Sequence, residues 1–169
     1  MTSRKILSMD LSLNLPAFAV VEVVDGSFRI LEVCHVDNKK HTKWTQAEKI
    51  KATADTLRQL LTKYKQFDGI VRERGFSRFA QTTQALFRVV GVSDLVAYEE
   101  VGCRSIEEIP PTSVKSMVAG YGKASKDEVE EGVRSFLPED QKDFKFATDD
   151  ESDAVAVALT YAIKKGWIR

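Results

Sequence analysis

The chain has 169 residues, 43% of them hydrophobic, enough for one domain with a substantial core. Its 25 basic and 25 acidic residues cancel, and no apolar run reaches the roughly 20 residues that span a bilayer, so a soluble protein without a membrane helix is expected. Cys34 and Cys103 stand alone, without paired spacing to each other or to His35 and His41, which argues against a disulfide framework or a zinc site and for a reducing cytoplasm.

The first informative stretch is ILSMDLSLNLPAF, residues 6–18. Arg4 and Lys5 before it imitate the basic start of a signal peptide, but Asp10 opposes insertion and no small-x-small cleavage site follows clearly. A strand over residues 5–11 that delivers a carboxylate to its end is the better expectation. A second strand is expected over 17–24, a turn at Asp25-Gly26-Ser27, and a third strand over 28–36. Residues 38–44 form a polar, basic loop. Ile50, Ala54, Leu57, Leu60 and Leu61 recur at helical spacing and predict a helix over 46–64. A fourth strand over 67–72 ends at Glu73, and 79–101 reads as a long helix interrupted at Gly91 to Ser93. A short strand over 105–109 is stopped by Pro110-Pro111. A helix then runs to Ala119 and is closed by Gly120-Tyr121-Gly122. Ser125, with Glu128 completing a capping box, starts a helix to Leu137, and Thr148 starts the last helix, which runs to about residue 165. The expected fold is α/β and ribonuclease H-like, with residues 1–169 as one domain. Its three layers hold a mixed five-stranded sheet, the first three strands an antiparallel meander, with helices on both faces.

Charge is segregated along the chain. Residues 39–88 hold 12 basic and 4 acidic side chains, whereas 91–153 hold 7 basic and 16 acidic. Such a division presents a basic face to a polyanion and gathers carboxylates elsewhere. Three places set acids at the ends of elements: Asp10 closes the first strand, Glu73 the fourth, and TDDESDAVAVALTYA opens the last helix. Asp150 and Asp153, three apart, share one helical face. Four carboxylates at one sheet edge repel one another unless a cation joins them, and hard oxygen ligands suit Mg²⁺ or Mn²⁺. Two such ions, roughly 3.5–4 Å apart, activate a water and stabilise the leaving oxygen of a phosphodiester. Taken singly, each acid also has a bland reading: a strand cap, a solvated strand end, or the first turn of a helix, where negative charge meets the positive dipole end.

Together these residues resemble the RuvC-type Holliday junction resolvases, and more closely their small phage-encoded members, from Ile6 to about Ala162. ILSMDLS is similar to the family's first strand with its catalytic Asp, here Asp10. ERGF is similar to its Glu-x-x-Phe, here Glu73 and Phe76. PTSVKSMVAGYGKASKDEV resembles the most diagnostic stretch, whose two lysines are here Lys115 and Lys126, and DDESDAVAVALTYA resembles the closing Asp-x-x-Asp helix. The chain departs from the family at Pro16-Ala17, where a Thr-Gly pair is common, and at Arg72, more polar than the usual strand residue. The resemblance implies a homodimer that nicks opposed strands of four-way (branched) DNA with Mg²⁺ or Mn²⁺, about two ions per site. Asp10, Glu73, Asp150 and Asp153 would be the ligands, and Lys115 and Lys126 would meet the scissile phosphate. Arg74 and Arg78 would contact DNA, with Arg72, Arg88, Lys39, Lys40 and Lys43 as further phosphate contacts, and Phe76 would stack at the crossover. The helix over 79–101, with Phe79, Leu86, Phe87 and Val90, is the expected dimer face. Three rivals remain: a nuclease for other branched DNA or structured RNA, a phosphate-binding loop at Asp10 and Ser12 as in actin-like ATPases, and a non-catalytic junction-binding module. Paired digestions of junction and RNA hairpin, and an ATP-binding measurement, separate them.

Overall fold

The structure is a computed structural model that describes residues 1–75 and 77–168. β1 (Ser3–Asp10), β2 (Ala17–Val24) and β3 (Ser27–His35) form the antiparallel meander. Its tight turn places Asp25 and Gly26 at φ of 50° and 89°, the left-handed conformation that a two-residue hairpin demands. β4 (Gly69–Glu73) pairs parallel to β1 on its other side, and β5 (Glu107–Ile109) parallel to β4, giving the order β3-β2-β1-β4-β5. With these directions β1, β3, β4 and β5 all finish at one edge. Asp10, His35, Glu73 and Ile109 are therefore neighbours at the carboxyl ends of the strands, where open α/β sheets bind ligands.

Side-chain alternation divides the strands between two cores. Leu7, Met9, Phe18, Val20 and Ile70 face α1 (Gln46–Tyr64) and α2 (Ala80–Val101), burying Leu57, Leu60, Leu61, Val89, Val96 and Ala97. Ile6, Ala17, Ala19, Val21 and Val71 face α5 (Asp149–Lys164), which is buried from Ala154 to Ala162. By the same parity Asp10 and Glu73 belong to the α5 side. α3 (Pro111–Ala119) and α4 (Lys126–Phe136) back α5. Among the described residues, no helix is long and apolar enough to cross a membrane.

Several expectations are corrected here. α2 is unbroken through Gly91 to Ser93, because Val89, Ser93, Val96 and Ala97 form one continuous buried face. The last strand is confined to Glu107–Ile109, the residues that pair with β4. β4 starts at Gly69 rather than at residue 67, and it ends at Glu73 as expected. A short 3-10 helix, Glu139–Gln141, was not expected. Arg72 is buried at 6% exposure on the α2 side, where it donates to Asp94, to Ser93 (3.2 Å) and to Glu108 (3.1 Å). A charge inside a strand is satisfied by three partners. Pro16-Ala17 disturbs nothing: Ala17 pairs with Asp10, and the Pro16 carbonyl accepts from the Val36 N–H (2.9 Å).

The two lysine-bearing helices meet at a glycine. A Cβ built on Gly132 of α4 would lie 2.2 Å from the carbonyl oxygen of Val118 in α3. Glycine costs a helix interior about 1 kcal/mol relative to alanine, so only this approach explains it. Gly132→Ala is expected to lower stability by roughly 1–3 kcal/mol through overpacking, against its better helix propensity. Urea denaturation checks this; a stabilised variant would mean that the helices separate without cost.

Candidate active site

The α5 N-terminus lies over the strand-end edge. One carboxylate oxygen each from Asp10, Asp150 and Asp153 lie within 4.8 Å of one another. The i,i+3 spacing sets both α5 residues on one face, and β1 supplies the third. Glu73, on the neighbouring strand, stays outside that group of three but feels the charge of Asp153. Lys126, the first residue of α4, reaches Asp153 at 3.5 Å. Lys115 of α3 is near enough to Glu73 to act on its titration. Arg74 and Arg78 follow Glu73 on the exposed surface. Phe76, expected to stack on a base, lies outside the described residues.

The electrostatics follow from this crowding. Burial, then Glu73, Asp153 and Asp150, push the Asp10 carboxyl well above its ordinary range. Burial and Asp153 raise Glu73 to about 7, against the pull of Lys115 and Lys126. Burial also raises Asp153, although Lys126 opposes it. Burial works against the charge on Lys126, but Asp153, Asp150 and Asp149 outweigh it and the pKa rises. Partly buried oxygens that repel one another are the donor set of a hard divalent cation, and the site fits such an ion.

The other cations divide by position. Near the far edge of the sheet Arg4 is paired with Asp68, Arg58 with Glu100, Lys63 with Glu32 and Lys165 with Glu107. At the strand-end edge Lys39, Lys40, Lys43, Arg74 and Arg78 are exposed and, among the described residues, have no carboxylate within 4.0 Å.

A family profile described as "Crossover junction endodeoxyribonuclease RuvC" matches residues 6–161. The chain belongs to the RuvC family. It is 31% identical over 157 residues to the RuvC of a Synechococcus strain, covering 92% of this chain and 96% of that one. It is 29% identical over 162 residues to the RuvC of Heliobacterium modesticaldum, covering 96% of each. Thermus thermophilus RuvC, solved in complex with a Holliday junction substrate, superposes with a TM-score of 0.81 at 23% identity, over 96% of this chain and 94% of that one. The ribonuclease H-like fold expected from the element order is the fold this RuvC-family chain has.

Sequence reasoning overlooked what aligns α5 in this RuvC-family chain. His35 Nδ1 lies 2.8 Å from Glu151 Oε1, while Glu151 Oε2 accepts from the Ala147 N–H at 2.7 Å. Ser8 Oγ donates to the Ala154 carbonyl at 2.6 Å inside the core. These bonds set the rotation of α5 that turns Asp150 and Asp153 toward Asp10. The available signal was His35, a polar residue closing a strand at the same edge as Asp10. Ser12, central to the actin-like reading, instead accepts from the Leu15 N–H in a local turn (3.0 Å).

The raised carboxylates carry a pH dependence. The folded chain keeps a proton on Glu73 up to about pH 7, whereas the unfolded chain loses it near the ordinary 4.5. The folded state binds more protons between these values, so this contribution is complete below about 4.5 and is lost as pH rises through 7. In chelator, unfolding free energy is expected to fall from pH 5 to pH 8 by on the order of 1–3 kcal/mol. Glu73→Gln flattens the decline, and Mg²⁺ reverses it at pH 8. Urea midpoints at several pH values check this; an unchanged slope in Glu73→Gln would remove Glu73 from the cause.

Proposed function

We propose that this chain, as one nuclease domain working in a reducing cytoplasm, is a structure-selective DNA endonuclease that resolves four-way junctions by nicking opposed strands. The observation that carries the reading is the convergence of Asp10, Asp150 and Asp153 within 4.8 Å beside Glu73 and Lys126, on a chain of the RuvC family. These four carboxylates would hold Mg²⁺ or Mn²⁺, two ions per site. When bound, the metal supplies a nucleophilic water at neutral pH and stabilises the leaving oxygen. Lys126, tethered to Asp153, and Lys115 on the adjoining helix place two positive charges where a phosphodiester oxygen gains charge in the transition state. Arg74 and Arg78, with the lysines of residues 39–43, grip flanking phosphates and make affinity salt-dependent. Phe76 stacks against an unpaired base at the crossover.

The decisive experiment maps cuts on each strand of an end-labelled four-way junction with and without divalent cation. Asp150→Asn is expected to abolish nicking while junction affinity is kept or raised, because a ligand is lost and repulsion of DNA is reduced. Near-normal cleavage by that variant would reject the site.

Resolution requires two cuts within one complex, and a two-fold homodimer supplies two related sites. α2 supports this reading: Phe87, Leu95 and Tyr98 are 57%, 55% and 62% exposed along one stripe, and nothing lies within 4 Å of a Cβ built on Gly91 between them. Two copies apposed along that stripe remove these side chains from water. Phe87→Arg combined with Leu95→Arg is expected to give a folded monomer that leaves singly nicked junctions. Light scattering beside circular dichroism tests it, and a double variant that stays dimeric moves the interface elsewhere.

A further inference from the structure

Residues 36–45 join β3 to α1 at the same sheet edge as Asp10, and a single buried side chain fixes them. Asn38 is fully buried; its Nδ2 donates to the carbonyls of Leu13 (2.9 Å) and Lys49 (3.1 Å), and its backbone N–H to that of Asn14 (2.9 Å). The loop is thereby tied to the segment that follows Asp10 and to the first turn of α1. Asp37 Oδ1 accepts from the N–H groups of Lys39 and Lys40, at 3.1 and 3.4 Å.

On this base His41 and Trp44 stack, ring centroids 3.6 Å apart and planes 9° from parallel. Trp44 is 37% exposed, and the exposed Lys39, Lys40 and Lys43 lie in the same ten-residue loop. A local turn, in which the Trp44 N–H donates to the His41 carbonyl (3.1 Å), brings the rings together, and Trp44 belongs to neither apolar core. A flat aromatic surface flanked by unneutralised ammonium groups matches one ligand chemistry, a nucleotide whose base stacks while its phosphates meet the cations.

We propose that the His41–Trp44 stack binds one unstacked nucleotide of the DNA. The base extends the ring stack, and Lys39, Lys40 and Lys43 take the phosphates on either side of it. This rests on the reading that the chain acts on branched DNA: a crossover frees bases from their neighbours, and continuous duplex does not.

Trp167, the other tryptophan, packs against Arg4 and Tyr161 near the opposite sheet edge, so Trp167→Phe leaves Trp44 as the reporter. In chelator, which prevents cutting, this variant is titrated with a four-way junction, a short oligothymidylate, and a relaxed, covalently closed duplex circle. The junction and the single strand are expected to quench Trp44, and the circle to leave it bright. Trp44→Leu is expected to weaken junction binding roughly ten-fold, whereas Trp44→Phe keeps most of the affinity. Quenching by the circle as strong as by the junction, a silent Trp44 on bound junction, or Leu binding as well as Phe would each overturn the nucleotide site. If the unmodified chain neither prefers nor cuts the junction, the functional reading itself falls and takes this proposal with it. Normal cutting with a silent Trp44 removes this proposal alone.

Discussion

Repulsion among carboxylates is the constraint around which this fold is arranged. Asp10 is pushed toward its neutral form by burial and by Glu73, Asp153 and Asp150, Asp153 by burial and by Asp150 and Asp149, and Glu73 is raised to about 7. Lys126 and Lys115 offset that repulsion only in part. The gathering persists because each acid is fixed to an element whose position the apolar cores decide: β1 and β4 by parallel pairing, and α5 by a run buried from Ala154 to Ala162. Hydrophobic burial therefore holds the electrostatic tension, and a divalent cation is the natural means of releasing it.

Holding three oxygens within 4.8 Å also demands that α5 neither roll nor slide. Three contacts at different heights prevent this. His35 and Ala147 grip Glu151 at its start, Ser8 holds the Ala154 carbonyl in its first turns, and Gly69 accepts the Tyr161 ring near its end, where a Cβ would lie 2.4 Å from the ring. Each is a polar or steric contact specific in direction, which the surrounding apolar packing is not. Shape-filling by Val155, Val157 and Leu159 supplies the adhesion, and these three set the angle. The lysines are placed by a different device, the close backbone approach of α3 to α4 at Gly132.

Much of this was legible in the sequence because it is written in periodicities. The limits of β2 and α1 coincide with the expected 17–24 and 46–64, since a β-branched apolar run ending at a turn marks the first and apolar residues at helical spacing mark the second. Asp150 and Asp153 were legible as a pair from helical spacing, and Asp10 as an acid closing an apolar strand. What was not legible depends on partners distant in sequence. Gly91 read as a break because glycine usually is one, but the face opposite it is buried and carries the helix through. Arg72 read as a phosphate contact because its compensation comes from Asp94 and Glu108, on two other elements. Glu151 was hidden between two more conspicuous acids, and only the arrival of His35 from β3 separates its task from theirs.

The separation of paired from unpaired cations gives a chain of zero formal net charge a patch of unneutralised basic side chains at Lys39, Lys40, Lys43, Arg74 and Arg78. Far from a DNA lattice it feels little overall attraction, but within about a Debye length, about 8–10 Å in physiological salt, a torque turns the unpaired edge toward the phosphates before contact. Encounters are thus pre-aligned. The same asymmetry acts between copies. With an isoelectric point near 6.7, molecules at neutral pH lack a common charge to keep them apart, and the unpaired cations of one attract exposed carboxylates of the next. Moderate salt weakens that head-to-tail attraction, so the colloidal behaviour of the free protein and its grip on DNA respond to ionic strength in opposite senses.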